Sequence, residues 1–302
     1  MAGLPSACVI GAGSSGIAAV KALRERGIPV DCFEKSDRVG GNWVFANNNG
    51  MSSAYRSLHA NQIAVSPLAP LLPFGVRRAF FAALYRIAVG RVEDYGLPAP
   101  DHRLLEAHPT VSADFLGRIA QGDVMWKPGI DSLEGDRVRF VDGTIEPVDV
   151  IVWCTGYKVT FPFFDEGFIS APRNELPLYR RVFKPGIDNL FFIALLQPLG
   201  ATMPLAEAQG RWVAAYLRGE YRLPPVSEME SDIRRERDRM RRRYVASPRH
   251  TMEVDFDDYL FALRRELKAG ARRARQAGFR LPVAPSGRAR TQQGTVSGTA
   301  NV

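Results

Sequence analysis

A glycine-rich turn near the N-terminus constrains the fold more than any other feature of the sequence. Residues 7–10 (ACVI) have the character of a short buried strand, and the segment GAGSSG at 11–16 follows directly. In a G-x-G-x-x-G turn the glycines allow a tight turn, close approach of the backbone to a pyrophosphate, and close packing of the next helix. We predict that helix over Ser14 to about Arg26 and a second strand over Val30 to Phe33. This βαβ unit predicts a Rossmann-type α/β fold.

The residues of this unit that could contact a dinucleotide follow its two strands. The helix would direct its free N–H groups and the positive end of its dipole at a phosphate. Glu34 follows the second strand, where a carboxylate can accept hydrogen bonds from a ribose. Because strand, turn, helix and carboxylate occur together, we favour dinucleotide binding over a turn that merely needs glycines. The candidate contacts in the turn are Gly11, Ala12, Gly13, Ser14, Ser15 and Gly16.

A second glycine pair follows in the segment RVGGNW at residues 38–43. At this point the sequence resembles the flavin-containing monooxygenase family, within the glutathione-reductase-like flavoproteins, in which GAGSSG, the acidic residue and a GG-x-W turn hold FAD. The segment YRSLHAN at 55–61 is similar to the family segment that carries an asparagine beside the flavin ring. The resemblance implies FAD as cofactor, Asn61 as a catalytic residue, and further FAD contacts at Gly41, Asn42, Trp43, Ala60, Asn61 and Gln197.

The match to the family is interrupted after Asn61. The family carries a fingerprint of the FxGxxxHxxxY type and a second GxGxxG turn for NADPH. In this chain Gly11 and Gly13 are the only glycines spaced two apart. The resemblance resumes from about Gln62, as if a block had been removed at this junction. It therefore implies NADPH as a second cofactor whose binding domain is largely missing.

We expect the chain to divide into segments of different character. The implied fold is a glutathione-reductase-like FAD-binding domain of Rossmann type with a residual, incomplete nicotinamide domain and a helical C-terminal extension. The expected segments are 1–61 and 149–225 for the two parts of the FAD-binding domain, 62–148 for the residual nicotinamide domain, 226–283 for the charged helical extension, and 284–302 for a disordered tail that lacks core-forming residues.

Local patterns predict several elements between these ends. Residues 74–90 form an amphipathic helix whose apolar face must find a new partner, by self-association for instance, or stay exposed: Phe80, Phe81, Leu84 and Ile87. The pair Asp142-Gly143 between alternating apolar runs predicts a β-hairpin. The apolar run Asp149–Cys154, which is similar to the family's ATGY strand, and the run Asn189–Leu195 predict two further strands.

The C-terminal part of the chain has helical periodicity. One helix should contain Pro204 in its first turn and end near Arg218. Two charged helices should follow, each with an apolar stripe that packs on the body. The stripes are Met229, Ile233, Met240 and Tyr244 in the first, and Tyr259, Leu260, Leu263 and Leu267 in the second.

Composition excludes several classes of function. The 302 residues are 46% apolar and 24% charged, as in a globular protein. The net charge of +8 comes largely from the basic segment 264–280, which has a single aromatic residue, Phe279, and no set of aromatic residues for base stacking, so we favour a solvated helix face over nucleic-acid binding. Cys8, Cys32 and Cys154 match no metal or redox spacing, and we expect them to be buried.

No metal site and no membrane span are predicted. Prolines interrupt the one cluster of possible ligands, which we interpret as polar residues of a surface loop: Asp101, His102, Glu106 and His108. The start of the sequence has no leader character, and its most apolar stretch, 67–90, is broken by arginines. We expect a soluble, cytoplasmic protein.

Two hypotheses for function remain. By resemblance, the chain is an FAD-dependent monooxygenase that oxygenates nucleophilic nitrogen or sulfur of small molecules with NADPH and dioxygen. A Baeyer–Villiger reaction is a related alternative. The second hypothesis is a shortened FAD-binding relative whose NADPH-dependent activity is impaired or lost. The cofactor supplies the chemistry in either case, so Ser14 and Ser15 are interpreted as turn residues and not as nucleophiles.

Overall fold

The computed structural model describes residues 3–41, 73–107, 115–156, 158–199, 201–244 and 251–283. Its strands are β1 (Ala7–Ile10), β2 (Val30–Phe33), β3 (Ile130–Glu134), β4 (Arg137–Phe140), β5 (Ile145–Pro147), β6 (Gln197–Leu199) and β7 (Glu253–Asp255). Its α-helices are α1 (Ser14–Glu25), α2 (Phe74–Ala88), α3 (Phe115–Ala120), α4 (Thr202–Leu217), α5 (Val226–Arg243) and α6 (Phe256–Gln276).

The predicted N-terminal βαβ unit is confirmed. Strands β1 and β2 pair in parallel, with Ala7 opposite Val30 and Ile10 opposite Phe33. Helix α1 connects them and buries a face of small residues, Ala18, Ala19 and Ala22, together with Leu23. This face packs on α4, where a Cβ at Gly210 would lie 2.9 Å from the Cβ of Ala22. The small residues allow the two helices to cross closely.

Helix α4 lies at the centre of the main core. Trp212 is fully buried and packs edge-to-face on Phe183, with ring centroids 4.7 Å apart. The predicted position of α4 is confirmed, with Pro204 in its first turn and Arg218 as its C-cap. The apolar stripes of α5 and α6 also pack as predicted, since these members are buried: Met229, Met240, Tyr244, Tyr259 and Leu263. Their burial fixes both charged helices to the body.

The predicted hairpin is confirmed and extended by one strand. Strands β3, β4 and β5 form an antiparallel sheet in that order. Gly143 adopts a φ of +83°, and its N–H donates to the Phe140 carbonyl at 2.9 Å. The Asp142 carboxylate accepts from the Thr144 N–H at 3.0 Å. Strand β3 had no clear signal in the sequence, because its two apolar residues, Ile130 and Leu133, are three positions apart and do not alternate with polar residues.

Both predicted strands in the returning segment are wrong. Asp149–Cys154 is not in a strand, and the side chains of Val150 and Val152 are each 77% exposed. Within the described part of the chain β1 pairs only with β2, so this apolar run has no sheet to join. The segment 189–195 contributes only an isolated bridge at Phe191, and Ala194 breaks its extended course with a φ of +57°.

The expectation that the cysteines are buried is also wrong. Cys8, Cys32 and Cys154 are all exposed. Ile10 and Phe33, at the ends of β1 and β2, are 66% and 62% exposed. The apolar sequence of β1 and β2 predicts that both faces of this sheet are buried. In the described chain, however, no element packs over the exposed face.

Helix α2 exposes its apolar face, which is one of the two outcomes expected from the sequence. Ile87 is 85% exposed and Phe80 65% exposed. Its first turn is held to the C-terminal helices, because Arg77 pairs with Asp258 at 2.9 Å and the Arg243 guanidinium stacks on Phe74. No helix in the described ranges combines the length and the apolar character needed to cross a bilayer. The expected tail 284–302 lies outside these ranges.

Candidate cofactor-binding site

The turn between β1 and α1 requires glycine at two of its positions. Gly11 adopts a φ of +97°, which is a conformation that side chains disfavour. A Cβ at Gly16 would lie 1.8 Å from the Gly11 carbonyl oxygen, so no larger residue fits without a backbone shift. In contrast, a Cβ at Gly13 would meet only the Gly41 Cα, at 3.9 Å. The fold itself therefore does not require glycine at position 13.

The N-terminus of α1 is available to an anion. Gly13 is the N-cap, no side chain among the described residues caps the helix, and its first turn contains no acidic residue. The first backbone bond of the helix runs from the Ile17 N–H to the Gly13 carbonyl at 3.0 Å. The N–H groups of Ser14, Ser15 and Gly16 precede this bond and have no intrahelical acceptor. Together with the helix dipole they suit a phosphate.

Glu34 links the end of β2 to the glycine turn. One carboxylate oxygen accepts the Ala12 N–H at 2.6 Å, and the other accepts the Ser36 N–H at 3.0 Å and the Ser36 hydroxyl at 2.7 Å. These hydrogen bonds, that of Ala12 above all, lower the pKa of Glu34 to about 2. Glu34 is therefore ionised at neutral pH, and the oxygen that accepts from Ala12 keeps a lone pair that a ribose hydroxyl could use.

We expect Glu34→Gln to weaken the dependence of stability on pH at acidic pH. The folded-state pKa of Glu34 is lowered from 4.5 to about 2, so its stabilising contribution is fully present above the unfolded value and is lost as the pH falls through the folded one. Urea unfolding measured from pH 4.5 down to pH 2 should show a steeper loss of unfolding free energy in the parent than in Glu34→Gln. Equal slopes would show that these hydrogen bonds do not form.

The second glycine pair lies against the first. The Gly40 N–H donates to the Ala12 carbonyl at 2.9 Å, and a Cβ at Gly41 would lie 3.1 Å from the Gly13 Cα. Gly41 has a φ of +59°. The structure thus brings together two glycine motifs that are some 25 residues apart in sequence. The remaining FAD contacts predicted nearby, Asn42, Trp43, Ala60 and Asn61, lie outside the described residues.

Gln197 lies in a separate sheet. It begins β6, which pairs in parallel with β7 and places Gln197 opposite Glu253. No hydrogen bond within the described ranges connects its side chain to the glycine turn. Its contact with FAD therefore stays a prediction.

Sequence reasoning missed the role of Ser36. Its N–H and hydroxyl both bond one Glu34 oxygen, which orients the carboxylate towards Ala12. The signal that could have identified it is the serine two residues after the acidic residue, since serine commonly bonds nearby backbone and side-chain groups in turns.

The cluster of possible metal ligands stays dispersed in the structure. Glu106 pairs with Arg78 at 2.7 Å, and His102 contacts Asp101 at 2.7 Å. His108 lies outside the described residues. Elsewhere in the described chain no three histidine, cysteine or carboxylate side chains come close enough to hold a metal ion.

Comparisons with known proteins agree with this geometry. The sequence profile of the flavin-binding monooxygenase-like family matches residues 6–67 and 87–272. Flavin-containing monooxygenase 5 of Mus musculus is 40% identical over 55% of this chain and 31% of its own length. Dimethylaniline monooxygenase [N-oxide-forming] 2 of Rattus norvegicus is 33% identical over 59% of this chain and 34% of its own length. The chain thus spans about a third of the curated relatives it matches.

A solved structure shows the same fold. S-allyl-L-cysteine S-oxygenase from Allium sativum aligns with a TM-score of 0.55 and 16% identity over 90% of this chain and 93% of that one. The fold class is therefore the α/β, Rossmann-type fold expected from the sequence. The family profile covers both the glycine turn and the returning segment that carries α4. This chain belongs to the flavin-binding monooxygenase-like family.

Proposed function

We propose that this chain binds FAD at the glycine turn and acts as a monooxygenase on nucleophilic nitrogen or sulfur of small molecules, with dioxygen as the oxidant and NADPH as a poor reductant of the flavin. One observation carries the proposal. The Gly11–Gly16 turn presents an uncapped helix N-terminus beside the ionised Glu34 carboxylate. Pyrophosphate and ribose are the two groups that such a pair can bind in a dinucleotide. The rat relative whose name specifies N-oxide formation supports nitrogen as one target.

The residues present fit the adenosine half of FAD. The Ser14, Ser15 and Gly16 N–H groups would hold the pyrophosphate, and Glu34 would accept the ribose hydroxyls. Glycine at position 13 leaves space for the pyrophosphate to approach the backbone. When bound, FAD would supply electron transfer to dioxygen. This chain's part in that reaction is to bind and orient the cofactor and, at Asn61, to hydrogen-bond close to the flavin ring.

The proposal is tested by product formation. We expect the FAD-loaded protein, reduced chemically and exposed to air with methyl phenyl sulfide, to form the sulfoxide, and with N,N-dimethylaniline to form the N-oxide. The measurement is mass spectrometry of the products, with the Gly13→Val variant, which should bind FAD much more weakly, as the control. Product at the level of free FAD alone would contradict the activity while leaving cofactor binding to be judged by its own titration.

We expect NADPH to reduce the bound flavin poorly. A second pyrophosphate needs a second glycine-rich βα turn, and the sequence contains none. Under argon, the flavin absorbance should bleach with dithionite and change little with micromolar NADPH. Rapid bleaching by NADPH would reveal a nicotinamide site formed by other residues.

We expect Asn61→Ala to separate binding from chemistry. An amide can donate and accept a hydrogen bond at once, whereas alanine can do neither. FAD affinity should stay within a factor of about two, while the hydrogen peroxide released per reduced flavin should rise at the expense of sulfoxide. Amplex-type peroxide assays and product analysis give both quantities. An unchanged ratio of hydrogen peroxide to sulfoxide would indicate that Asn61 is only a turn residue.

A second candidate function is a shortened FAD-binding relative without NADPH-dependent turnover. The observation in its favour is the exposed run at 149–154, which resembles a family strand but joins no sheet in the described chain. This second function would be supported if the protein bound FAD but formed no oxygenated product, whether the flavin was reduced with NADPH or with dithionite.

A Baeyer–Villiger activity would instead convert a cyclic ketone such as cyclohexanone to its lactone.

We also propose a cytoplasmic location. Cys8, Cys32 and Cys154 are unpaired and exposed, and free thiols of this kind persist in a reducing compartment. Fractionation of cells expressing the tagged chain tests this. Recovery in an oxidising compartment with blocked thiols would contradict it.

A further inference from the structure

A cavity lies between the segment 170–181, helix α5 and the start of α6. Its volume is about 740 Å³, within the range of small-molecule sites. Part of its wall is apolar, through Leu176, Leu178, Ile233 and Met240, and part is strongly charged. No residue of the glycine turn lines it, so it is a different site from the one proposed for FAD.

Three arginines of the wall have a left-handed backbone. Arg173, Arg180 and Arg181 have φ values of +55°, +49° and +62°. Seven non-glycine residues in the described ranges have positive φ, and these three all face one cavity. Such conformations are unfavourable for residues other than glycine and cluster at functional sites. Their concentration here is the first indication of a ligand.

Neighbouring hydrogen bonds hold this backbone in place. The Tyr259 hydroxyl donates to the Arg180 carbonyl at 2.6 Å and accepts from the Gln209 side chain at 2.7 Å. The Tyr179 N–H donates to the Phe183 carbonyl at 2.7 Å and closes the turn. The strained turn is thus fixed from the buried core, and it keeps the arginine side chains on the cavity side.

The charges of the wall leave a positive surplus. Each carboxylate of the cavity is already paired: Asp232 with Arg180, Glu236 with Arg239, Glu175 with Arg241, Asp255 with Arg243 and Asp258 with Arg77. Among the described residues, no carboxylate lies within ion-pair distance of the other three arginines of the wall, Arg173, Arg181 and Arg237. These three are available to an anion.

Arg181 is the best placed of the three. Its Nη1 donates to the Thr251 carbonyl at 2.9 Å and its Nη2 donates to the Glu253 carbonyl at 3.5 Å, which anchors the guanidinium. A guanidinium has five N–H donors, so others are left for a ligand. Burial lowers the pKa of Arg181, because removal from water disfavours its charged form. A bound anion would remove that penalty.

We propose that this cavity binds a small organic anion, a carboxylate or a phosphate ester on an apolar body, through Arg181 with Arg173 and Arg237. The apolar wall at Leu176, Leu178 and Met240 would contact the body of the ligand. The guanidinium groups suit either acid, since both present paired oxygens. This inference does not depend on FAD binding.

The test uses a matched set of probes on the full chain with FAD in excess. Phenylacetate and phenyl phosphate carry the same ring with different acids, and phenylacetamide is the neutral control. We expect saturable calorimetric binding of at least one acid, about tenfold or more above the amide, since hydrogen bonds between charged groups are the stronger kind. The preferred acid identifies the ligand class.

Two variants locate the site. Arg181→Gln should weaken binding of the preferred acid about tenfold or more. Arg237→Gln, at an exposed position with no ion pair in the described chain, should weaken it less and serves if Arg181→Gln does not fold. Arg264→Gln, on the exposed side of α6, is the matched control and should change nothing. No saturable binding of either acid, equal binding of the amide, or an equal loss in Arg264→Gln would overturn the proposal.

Discussion

Gly16→Ala is expected to destabilise the protein by about 3 kcal/mol or more, because the added Cβ would lie 1.8 Å from the Gly11 carbonyl oxygen and 2.9 Å from its carbon. The clash is with backbone, so no side-chain rotation can relieve it. The turn would have to open, and β1 would separate from α1. Urea unfolding followed by circular dichroism measures the loss directly.

A matched glycine controls for the change of residue type. Gly117 also lies in a helix, α3, and a Cβ there would meet nothing within 4 Å. We expect Gly117→Ala to be neutral or to stabilise by about 0.5–1 kcal/mol through helix propensity. If Gly16→Ala behaved like Gly117→Ala, the close contact between Gly16 and Gly11 would be wrong.

Gly13→Val is expected to keep the fold and lose the cofactor. A Cβ at this position meets only Gly41, at 3.9 Å, and the Gly13 φ of −71° is allowed to any residue. The valine side chain would occupy the space through which a pyrophosphate reaches the helix N-terminus. Loss of one hydrogen bond to a charged phosphate costs about 1.5–3 kcal/mol, so FAD should bind at least about tenfold more weakly.

The control for this variant is Gly75→Val, near the start of α2, where a Cβ also meets nothing within 4 Å. Both variants should unfold at urea concentrations close to that of the parent, and only Gly13→Val should lose FAD. If the folded Gly13→Val protein bound FAD as tightly as the parent, the pyrophosphate would not bind at this turn.

The parts of the fold that depend on local sequence could be predicted. Gly11–Gly16 fixes its own turn, and the flanking apolar runs pair over the short connection of α1. The stripes of α5 and α6 follow from helical periodicity, because each helix places its apolar residues on one of its own sides. Met229 and Met240 are buried on α5, and Leu263 is buried on α6. The Asp142-Gly143 hairpin is equally local.

The parts that depend on distant partners could not be predicted. Asp149–Cys154 has the composition of a buried strand, but a strand needs a neighbour, and β1 offers it none in the described chain. The exposed Cys8 follows from the same open sheet face. At the candidate site, sequence spacing identifies Glu34, yet the contact of Gly40 and Gly41 with Ala12 and Gly13 arises only in three dimensions.

The sequence did not indicate that arginines gather around the cavity between the segment 170–181, α5 and the start of α6. Arg180 and Arg181 are two of many basic residues, and nothing in their order indicates a left-handed backbone. The sequence analysis interpreted only the basic segment 264–280, as a solvated helix face. The structure places other arginines around a cavity of about 740 Å³, and three of them, Arg173, Arg181 and Arg237, have no carboxylate within ion-pair distance in the described chain.

FAD titration of the purified parent tests the central claim most directly. The protein, stripped of flavin, is titrated with FAD while flavin fluorescence and calorimetric heat are recorded, and FMN, which lacks the adenosine half, is the comparison. We expect one FAD per chain and much weaker binding of FMN, because the turn and Glu34 would contact the pyrophosphate and the adenosine ribose. Equal binding of FMN and FAD, or no saturable binding of FAD, would contradict it.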